Sequence, residues 1–242
     1  MKPNQDSARS SSMRVLAIDI GGTGIKAMTL DGSGQPLTER AKIQTPQPAT
    51  PDAVLRVIAK LAKQNGAFDR ISVGFPGVVR NGVVHSAPNL HPSWKGVNLA
   101  EMLSKKLTRP AKVANDADIQ GFGAIKGSGI ELVLTLGTGL GSALFVDGML
   151  VPNLEAAHHP FRKGKTYEEC LGIHGLKRAG RKKWNKTLRL AIRELERLFN
   201  YDQLFIGGGN AQKIEGDLPP NVQVVSNVAG LLGGIALWRK PS

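Results

Sequence analysis

Two stretches of this chain share one pattern of apolar and polar positions. Across residues 16–32 an apolar run is followed by a Gly/Thr-rich break, a second apolar run and Asp31-Gly32. Across residues 132–148 the same order recurs and aligns without a gap: Leu16 on Leu132, Gly21 on Gly137, Ala27 on Ala143, Asp31 on Asp147. Short apolar runs bounded by turn residues predict strands, and Asp-Gly predicts a tight hairpin turn, so each stretch reads as strand, turn, strand, turn. At the first breaks, Gly21, Gly22, Gly24, Gly137 and Gly139 let backbone N–H groups approach an anion, and Thr23 and Thr138 add hydroxyls. One such hairpin would be an ordinary bend. Two, with Gly/Thr at the same place, point to a pair of phosphate clamps. No Gly-Lys-Ser/Thr follows Gly24, which excludes a Walker loop, and the strand-like residues 25–30 exclude a strand-to-helix dinucleotide turn.

The pattern between and after these stretches repeats as well. Residues 36–43 predict a third strand. Residues 51–65 predict a helix with Pro51 in its first turn and Val54, Ile58 and Leu61 on one face. Residues 69–79 read as a buried strand and a bend, Asn81-Gly82 as a hairpin turn, and residues 87–96 as a loop carrying Asn89, His91 and Trp94. Residues 99–107 predict a helix, 111–114 a short strand ending in Asn115-Asp116-Ala117-Asp118, and 119–124 a closely packed small-residue helix. In the second half Val151 leads into a polar loop over 153–165, a helix starts at 166–172, and 177–200 is mainly helical, with Leu188, Ile192, Leu195 and Phe199 at helical spacing. The run ending Ile206-Gly207-Gly208-Gly209 echoes residues 69–77, and a strand over 221–227 entering a helix over 228–238 echoes residues 109–124. Three matches in the same order argue for a duplicated α/β domain, each half a mixed sheet with helices and a ligand cleft between them. The halves differ where chemistry would need them to: Asp116 has Val228 as its counterpart and Asp118 has Gly230. A carboxylate at a strand end in one half alone is a candidate general base.

Composition narrows the classes. The chain has 242 residues, 41% of them hydrophobic and 5% aromatic. The apolar runs are interrupted well short of a membrane span, and no basic-then-apolar leader opens the chain, so a cytoplasmic protein with no membrane partner is expected. Residues 1–12 are polar and Ser-rich and read as a disordered tail. The single cysteine, Cys170, excludes an internal disulfide and any multi-cysteine metal site. The net charge of +13 suits a polyanionic partner. Twelve Lys and Arg residues fall between Arg162 and Arg197, against Glu168, Glu169, Glu194 and Glu196. That density is either a solvated helix face or an electrostatic footprint for a phosphate-rich ligand.

The motifs Asp19-Ile-Gly-Gly-Thr-Gly-Ile-Lys26, Asn115-Asp116, Leu136-Gly-Thr-Gly-Leu-Gly141 and Ile206-Gly-Gly-Gly209 together resemble the ROK sugar kinases of the actin/hexokinase superfamily. Phe75-Pro-Gly-Val-Val79, Ser93-Trp-Lys-Gly-Val97 and Leu195-Glu-Arg-Leu-Phe199 are similar to its polyphosphate glucokinase branch. The resemblance runs from about Val15 to the C-terminus. It implies an α/β fold of duplicated actin-like ATPase domains, of ribonuclease H-like type, with an interdomain cleft. The domains would be 13–117 and 118–242, with a C-terminal helix, 228–240, packing back on the first. It implies transfer of a phosphoryl group from polyphosphate, ATP or both to the 6-hydroxyl of glucose or a similar hexose, and a homodimer. Asp116 would then be the base and Asn115 a sugar contact. Asp19 would orient Mg²⁺ through water, and Gly21–Gly24, Lys26, Gly137–Gly139, Gly207 and Gly208 would hold phosphates. Asn89, Glu155 and His158 would contact sugar, although Ala157 stands where the family has Gly and His158 also reads as a structural histidine. A further sugar-binding glutamate should follow. Thr166-Tyr-Glu-Glu169 is a capping-box pattern that gives Glu169 a structural task, which favours Glu168. The cysteine cluster of zinc-bearing members is absent, so no zinc is expected.

Two other classes compete. Some relatives of this kind are sugar-responsive repressors with a helix-turn-helix ahead of the kinase-like core. About a dozen residues precede the first strand here, too few for such a domain, so no specific nucleic-acid partner is expected. A catalytically silent sugar-binding protein is the other, and the retained Asp116 and both phosphate turns weigh against it.

Overall fold

The computed structural model describes residues 13–151, 154–225 and 229–238. The tail 1–12, Asn153, positions 226–228 with Asn227 and Val228, and residues 239–242 lie outside the described residues. The chain forms two compact units, one of residues up to Gly123 with the segment from Gly230, the other Ala124–Ala229.

The first unit contains β1 (Val15–Ile20), β2 (Gly24–Leu30), β3 (Ala41–Gln44), α1 (Pro51–Gln64), β4 (Arg70–Phe75), β5 (Val79–Arg80), β6 (Val83–Val84), α2 (Leu99–Leu107), β7 (Ala111–Asn115) and α3 (Asp116–Phe122). Its sheet has the order β3-β2-β1-β4-β7, with β4 parallel to β1 and β7, and β2 antiparallel to both neighbours. Side chains alternate across a strand. Leu16, Ile18 and Ile20 of β1 therefore join Ile71, Val73 and Phe75 of β4 in the core with Val54, Ile58, Leu61, Leu99 and Leu103 of the two helices. Ala17 points the other way, to Met28, Leu30 and Leu231. Local signals set α1: the Thr50 hydroxyl accepts from the Ala53 N–H at 3.4 Å, Pro51 takes the first turn, and Gly66 follows the end at a φ of +70°.

The second unit contains β8 (Ile130–Leu136), β9 (Leu140–Val146), β10 (Met149–Val151), β11 (Pro160–Arg162), β12 (Lys165–Thr166), α4 (Tyr167–Leu171), α5 (Ile173–Ala179), α6 (Arg181–Phe199), β13 (Gln203–Gly207) and β14 (Val222–Val224). Its sheet order, β10-β9-β8-β13-β14, is that of the first unit strand for strand, with the same parallel and antiparallel pairings. Leu132, Leu134 and Leu136 pack with Trp184, Leu188, Ile192, Leu195, Leu204 and Ile206.

The third strand, expected over 36–43, is confined to Ala41–Gln44, and three further details depart from the expected pattern. The duplicated hairpins do not share a register. Ile20 pairs with Ile25 across four intervening residues, whereas Leu136 pairs with Leu140 across three, so the second turn is one residue shorter. Asp147-Gly148 makes the expected tight turn, with φ of +50° and +75° between Val146 and Met149. Asp31-Gly32 does not: the Asp31 carboxylate accepts from the N–H groups of Ser33 and Gln35, and a longer connection leads to β3. The helical run expected over 177–200 is two helices, broken at Gly180, whose φ of +72° and ψ of +157° no helix continues.

The boundary expected after Ala117 falls inside α3, which lies in the first unit. From Gly230 onward the C-terminal segment, α7 (Ala229–Leu232) continued by a 3-10 helix over Gly233–Trp238, also lies there. A Cβ on Gly233 would collide with the Ile119 carbonyl, and Gly234 lies over Ser72 and Ala17. The small residues serve this backbone-to-backbone approach. Among the described residues no helix is long and apolar enough to cross a membrane.

Candidate active site

In the first unit the chemistry gathers at the ends of β1, β4 and β7. Asp19 is the penultimate residue of β1 and pairs in register with Lys26 of β2. Their side chains form an ion pair at 2.7 Å, about a quarter and a third exposed. In the second unit the same strand position is Thr135, opposite Gly141, so this charge pair exists in one copy only. The turn after β1 is closed by the Gly21 N–H to the Gly24 carbonyl at 3.0 Å, and the Thr45 hydroxyl donates to the Gly21 carbonyl at 2.5 Å. Asn89 lies against it: a Cβ on Gly22 would come 3.4 Å from the Asn89 carbonyl oxygen. The stem of Lys42, a residue the sequence pattern did not single out, crosses Gly24, and a Cβ there would meet its Cε at 2.6 Å.

Asp116 opens α3 directly after β7. Its Oδ1 accepts from the Ala117 N–H at 2.8 Å. The Asn115 side chain caps the helix, accepting from Ala117 N–H at 2.7 Å, and its amide donates to the Gly77 carbonyl at 3.1 Å. Gly74 of β4 pairs in register with Asp19 on one side and Ala114 on the other. The Asp116 Cα lies 3.4 Å from where a Gly74 Cβ would be. An alanine there would just touch Asp116, and anything larger would displace it. A bare glycine in a strand often marks such close approach, and that is the one signal by which Gly74 could have been found. Asp19 and Asp116 thus each adjoin Gly74, one in register on β1 and the other over its bare Cα.

In the second unit the Gly137–Gly139 turn is closed by the Gly137 N–H to the Gly139 carbonyl at 3.0 Å. Asn210, another residue the sequence reading missed, donates from its side chain to the Gly137 carbonyl at 2.7 Å and from its backbone N–H to the Leu136 carbonyl at 2.8 Å. Gly208 is pressed against the backbone of Leu136 at a φ of +89°, a packing task beside any phosphate role, and Gly207 ends β13. Glu168 accepts from the Leu140 N–H at 3.0 Å, and its carboxylate occupies the space a Gly139 side chain would need. Glu169 makes the capping box with Thr166, at 2.8 and 3.2 Å. The Thr166 backbone N–H donating to it is the main reason its carboxyl sits below the usual range.

Glu155 stands at the N-cap and His158 at the end of a 3-10 turn over Ala156–His158, with Oε2 and Nε2 3.8 Å apart. Partial burial pushes the Glu155 carboxyl up; His158 draws it down and Glu168 adds a further push up. Ala157 has no positive φ and packs in the core, so it sits without backbone strain. Among the described residues no group of three or more His, Cys, Asp or Glu side chains is placed to hold a metal. Asp19, at the end of β1 just before the Gly21–Gly24 turn, is a hard oxygen donor, which fits Mg²⁺ held largely by water and phosphate oxygens.

A sequence model of the ROK family matches residues 15–155. Polyphosphate glucokinase of Mycobacterium leprae is 34% identical over 248 residues, spanning 96% of this chain and 76% of that protein. Polyphosphate glucokinase of Mycobacterium tuberculosis H37Rv is 36% identical over 234 residues, 89% of this chain and 88% of that one. The crystal structure of the inorganic polyphosphate/ATP-glucomannokinase from Arthrobacter sp. strain KM matches with a TM-score of 0.84 and 35% identity, covering 94% of this chain and 100% of that one. A ROK glucokinase from Streptomyces griseus, solved with glucose and AMPPNP, shares the fold with a TM-score of 0.74 at 21% identity, covering 93% and 98%. The two sheets of identical order are the duplicated halves of the actin-like ATPase fold, and this chain belongs to the ROK family.

Proposed function

We propose that the chain transfers the terminal phosphoryl group of inorganic polyphosphate, with ATP as a second donor, to the 6-hydroxyl of glucose or a similar hexose. The observation that carries this is identity of about 35% over most of the chain with enzymes named polyphosphate glucokinase. The Arthrobacter structure, named for both donors and for glucose and mannose, supports the same reading.

The residues divide the work as follows. The sugar oxygen attacks the terminal phosphorus, its proton passes to Asp116, and the bridging P–O bond breaks, leaving the donor one phosphate shorter. Such a reaction asks the protein mostly for alignment and charge stabilisation, with a carboxylate accepting the hydroxyl proton. Mg²⁺, when bound, would neutralise charge on the donor phosphates. Asp19 would hold it through water, after giving up part of its contact with Lys26. The Gly21–Gly24 and Gly137–Gly139 turns would hold phosphates by backbone N–H groups, with Lys26, Gly207 and Gly208 beside them. Sugar hydroxyls fall to Asn115, Asn89, Glu155, His158 and Glu168. The capping box that occupies Glu169 supports Glu168 for that role. Asn115 would serve both the helix cap and the sugar. No zinc enters this scheme, and chelator-washed protein should contain none by elemental analysis. A homodimer in the cytoplasm completes the reading, to be checked by sedimentation and by localisation of a tagged chain.

The test is steady-state kinetics with glucose, comparing polyphosphate with ATP at low and moderate salt. Polyphosphate should give the higher kcat/KM and lose more of it as salt rises, because a long polyanion is held by summed charge contacts. If ATP gives the higher kcat/KM and polyphosphate neither turns over nor competes, a strictly ATP-dependent glucokinase replaces this reading. If neither donor supports turnover while glucose binds, a sugar-binding regulator does.

A further inference from the structure

The twelve basic residues between Arg162 and Arg197 are not equivalent in the fold. Arg181 is paired with Glu215 at 2.8 Å, and Arg197 with Glu194 at 3.2 Å. Arg178 donates to the Glu169 carbonyl at 2.7 Å, and Arg189 to the carbonyls of Glu215 and Asp217. Lys182, Lys183, Lys186 and Arg193 are exposed, and among the described residues their side chains make no hydrogen bond or ion pair. On α6 the buried positions are Trp184, Asn185, Leu188, Ala191, Ile192 and Leu195. Lys182, Lys186 and Arg193 follow at i, i+4 and i+11, which places them in one line on the opposite face, with Lys183 beside it. At 1.5 Å per residue the line is about 16 Å long. No acidic residue occurs between Glu169 and Glu194. The first turn of α6 carries three cations and no acid, where the helix already presents positive partial charge. Arg181 is met by Glu215, which leaves Lys182 and Lys183 unfavourably placed there without a carboxylate partner, and a bound anion would relieve them.

The line is tied to the second Gly turn. The Ile173 N–H, at the start of α5, donates to the Gly137 and Thr138 carbonyls at 3.1 and 3.2 Å. The indole N–H of Trp184 donates to the Leu171 carbonyl at 2.9 Å, two residues before Ile173. The start of α6 is thus anchored at the junction that also holds the Gly137–Gly139 turn. A single-stranded nucleic acid is held in part by base stacking on exposed aromatic side chains, and the only aromatic residue between Arg181 and Arg193 is the fully buried Trp184.

We infer that Lys182, Lys186 and Arg193, flanked by Lys183, form a binding track for the unreacted phosphates of a long polyphosphate whose terminal phosphate is held at the Gly137–Gly139 turn. The inference rests on the donor reading proposed above. The track gives the enzyme a preference for long chains that tripolyphosphate and ATP do not share.

The test uses the full chain and the triple variant Lys182→Gln/Lys186→Gln/Arg193→Gln, whose exposed positions leave the core intact, with a thermal melt to verify folding. Binding of long-chain inorganic polyphosphate is measured without glucose across a salt series, and kinetics are then run with long-chain polyphosphate, tripolyphosphate and ATP. The variant should bind long chains about tenfold more weakly, with the slope of log affinity against log salt shallower by about two, as loss of three charge contacts requires. Its kinetics with tripolyphosphate and ATP should stay within about twofold, because three lost charge contacts act only on a polyanion long enough to reach them. Unchanged long-chain affinity, or an equal loss with ATP, overturns the track. A single-stranded DNA oligomer that binds wild type as tightly and suffers the same loss overturns it too, in favour of a general polyanion surface. Binding that behaves as expected without turnover leaves the track standing and removes the donor reading instead.

Discussion

Asp116 and Glu155 are carboxylates in different surroundings. Asp116 is placed by backbone, over Gly74 and against the Ala117 N–H. Asp116→Asn keeps the size and the helix start and removes the base. Its kcat should fall by a factor of about 10² to 10⁴, while glucose affinity by calorimetry changes little. Near-normal turnover would remove Asp116 from the chemistry. Glu155 is held less comfortably, because partial burial raises its carboxyl above the ordinary glutamate range. A carboxyl that binds its proton more tightly in the fold contributes stability that is full below its ordinary value and lost as pH rises through the raised one. Glu155→Gln should therefore melt about 1 °C above wild type near pH 7 and level with it near pH 4, at the expense of glucose affinity. A lower melting temperature at neutral pH would show that the ionised form is favoured after all. The neighbouring glutamates should separate cleanly. Glu168→Gln should raise KM for glucose several-fold, whereas Glu169→Gln should leave KM alone and loosen the start of α4. The reverse pattern would exchange their roles.

At the scale of elements, glycines divide by whether space or conformation demands them. Gly66 and Gly208 have similar positive φ, +70° and +89°. A Cβ on Gly66 meets nothing within 4 Å, whereas one on Gly208 runs into the Leu136 backbone. Gly66→Ala should cost about 1 kcal/mol, the ordinary penalty of a left-handed alanine. Gly208→Ala should cost about 3 kcal/mol or more, because the loop after β13 must move off β8. Urea midpoints measure both, and equal losses would mean that this loop is softer than its hydrogen bonds from Asn210 suggest.

For the molecule as a whole, the first unit is discontinuous in sequence. Its sheet face around Ala17, Met28 and Leu30 is covered by Leu231, and Ser72 donates to the Gly234 carbonyl at 2.6 Å. Trp238 donates to Ser72 and lies under the cationic groups of Arg70 and Lys112 at 4.6 and 4.8 Å. A chain ending at Ala229 should thus expose that face, bind a hydrophobic dye and melt well below the full chain. Trp238→Ala should be intermediate, at about 2 kcal/mol for a half-buried indole. A truncated chain of unchanged stability would show that the segment merely rests on the sheet.

The features legible along the chain are those that neighbouring residues decide. The Asn81-Gly82 turn, the ends of α2, the start of α1 at Thr50-Pro51 and the Thr166–Glu169 capping box each depend on caps, φ preferences and periodicity within a few residues. The doubling was legible too, because two similar strings of apolar runs folded into two sheets of the same strand order. Tertiary structure decided the rest. That the second hairpin turn is one residue shorter emerges only when strands pair, since register is a property of two strands and of the face they bury. The contacts of Lys26 with Asp19, Asp116 over Gly74, Glu168 on the Leu140 N–H and Asn210 on Gly137 all follow from that pairing or from chain folded back over it. The same holds for the basic segment. Composition counts twelve cations, but only the packed fold shows which are spent on carbonyls and carboxylates and which stand in line on α6, because a side chain's partners are set by elements far away in the chain.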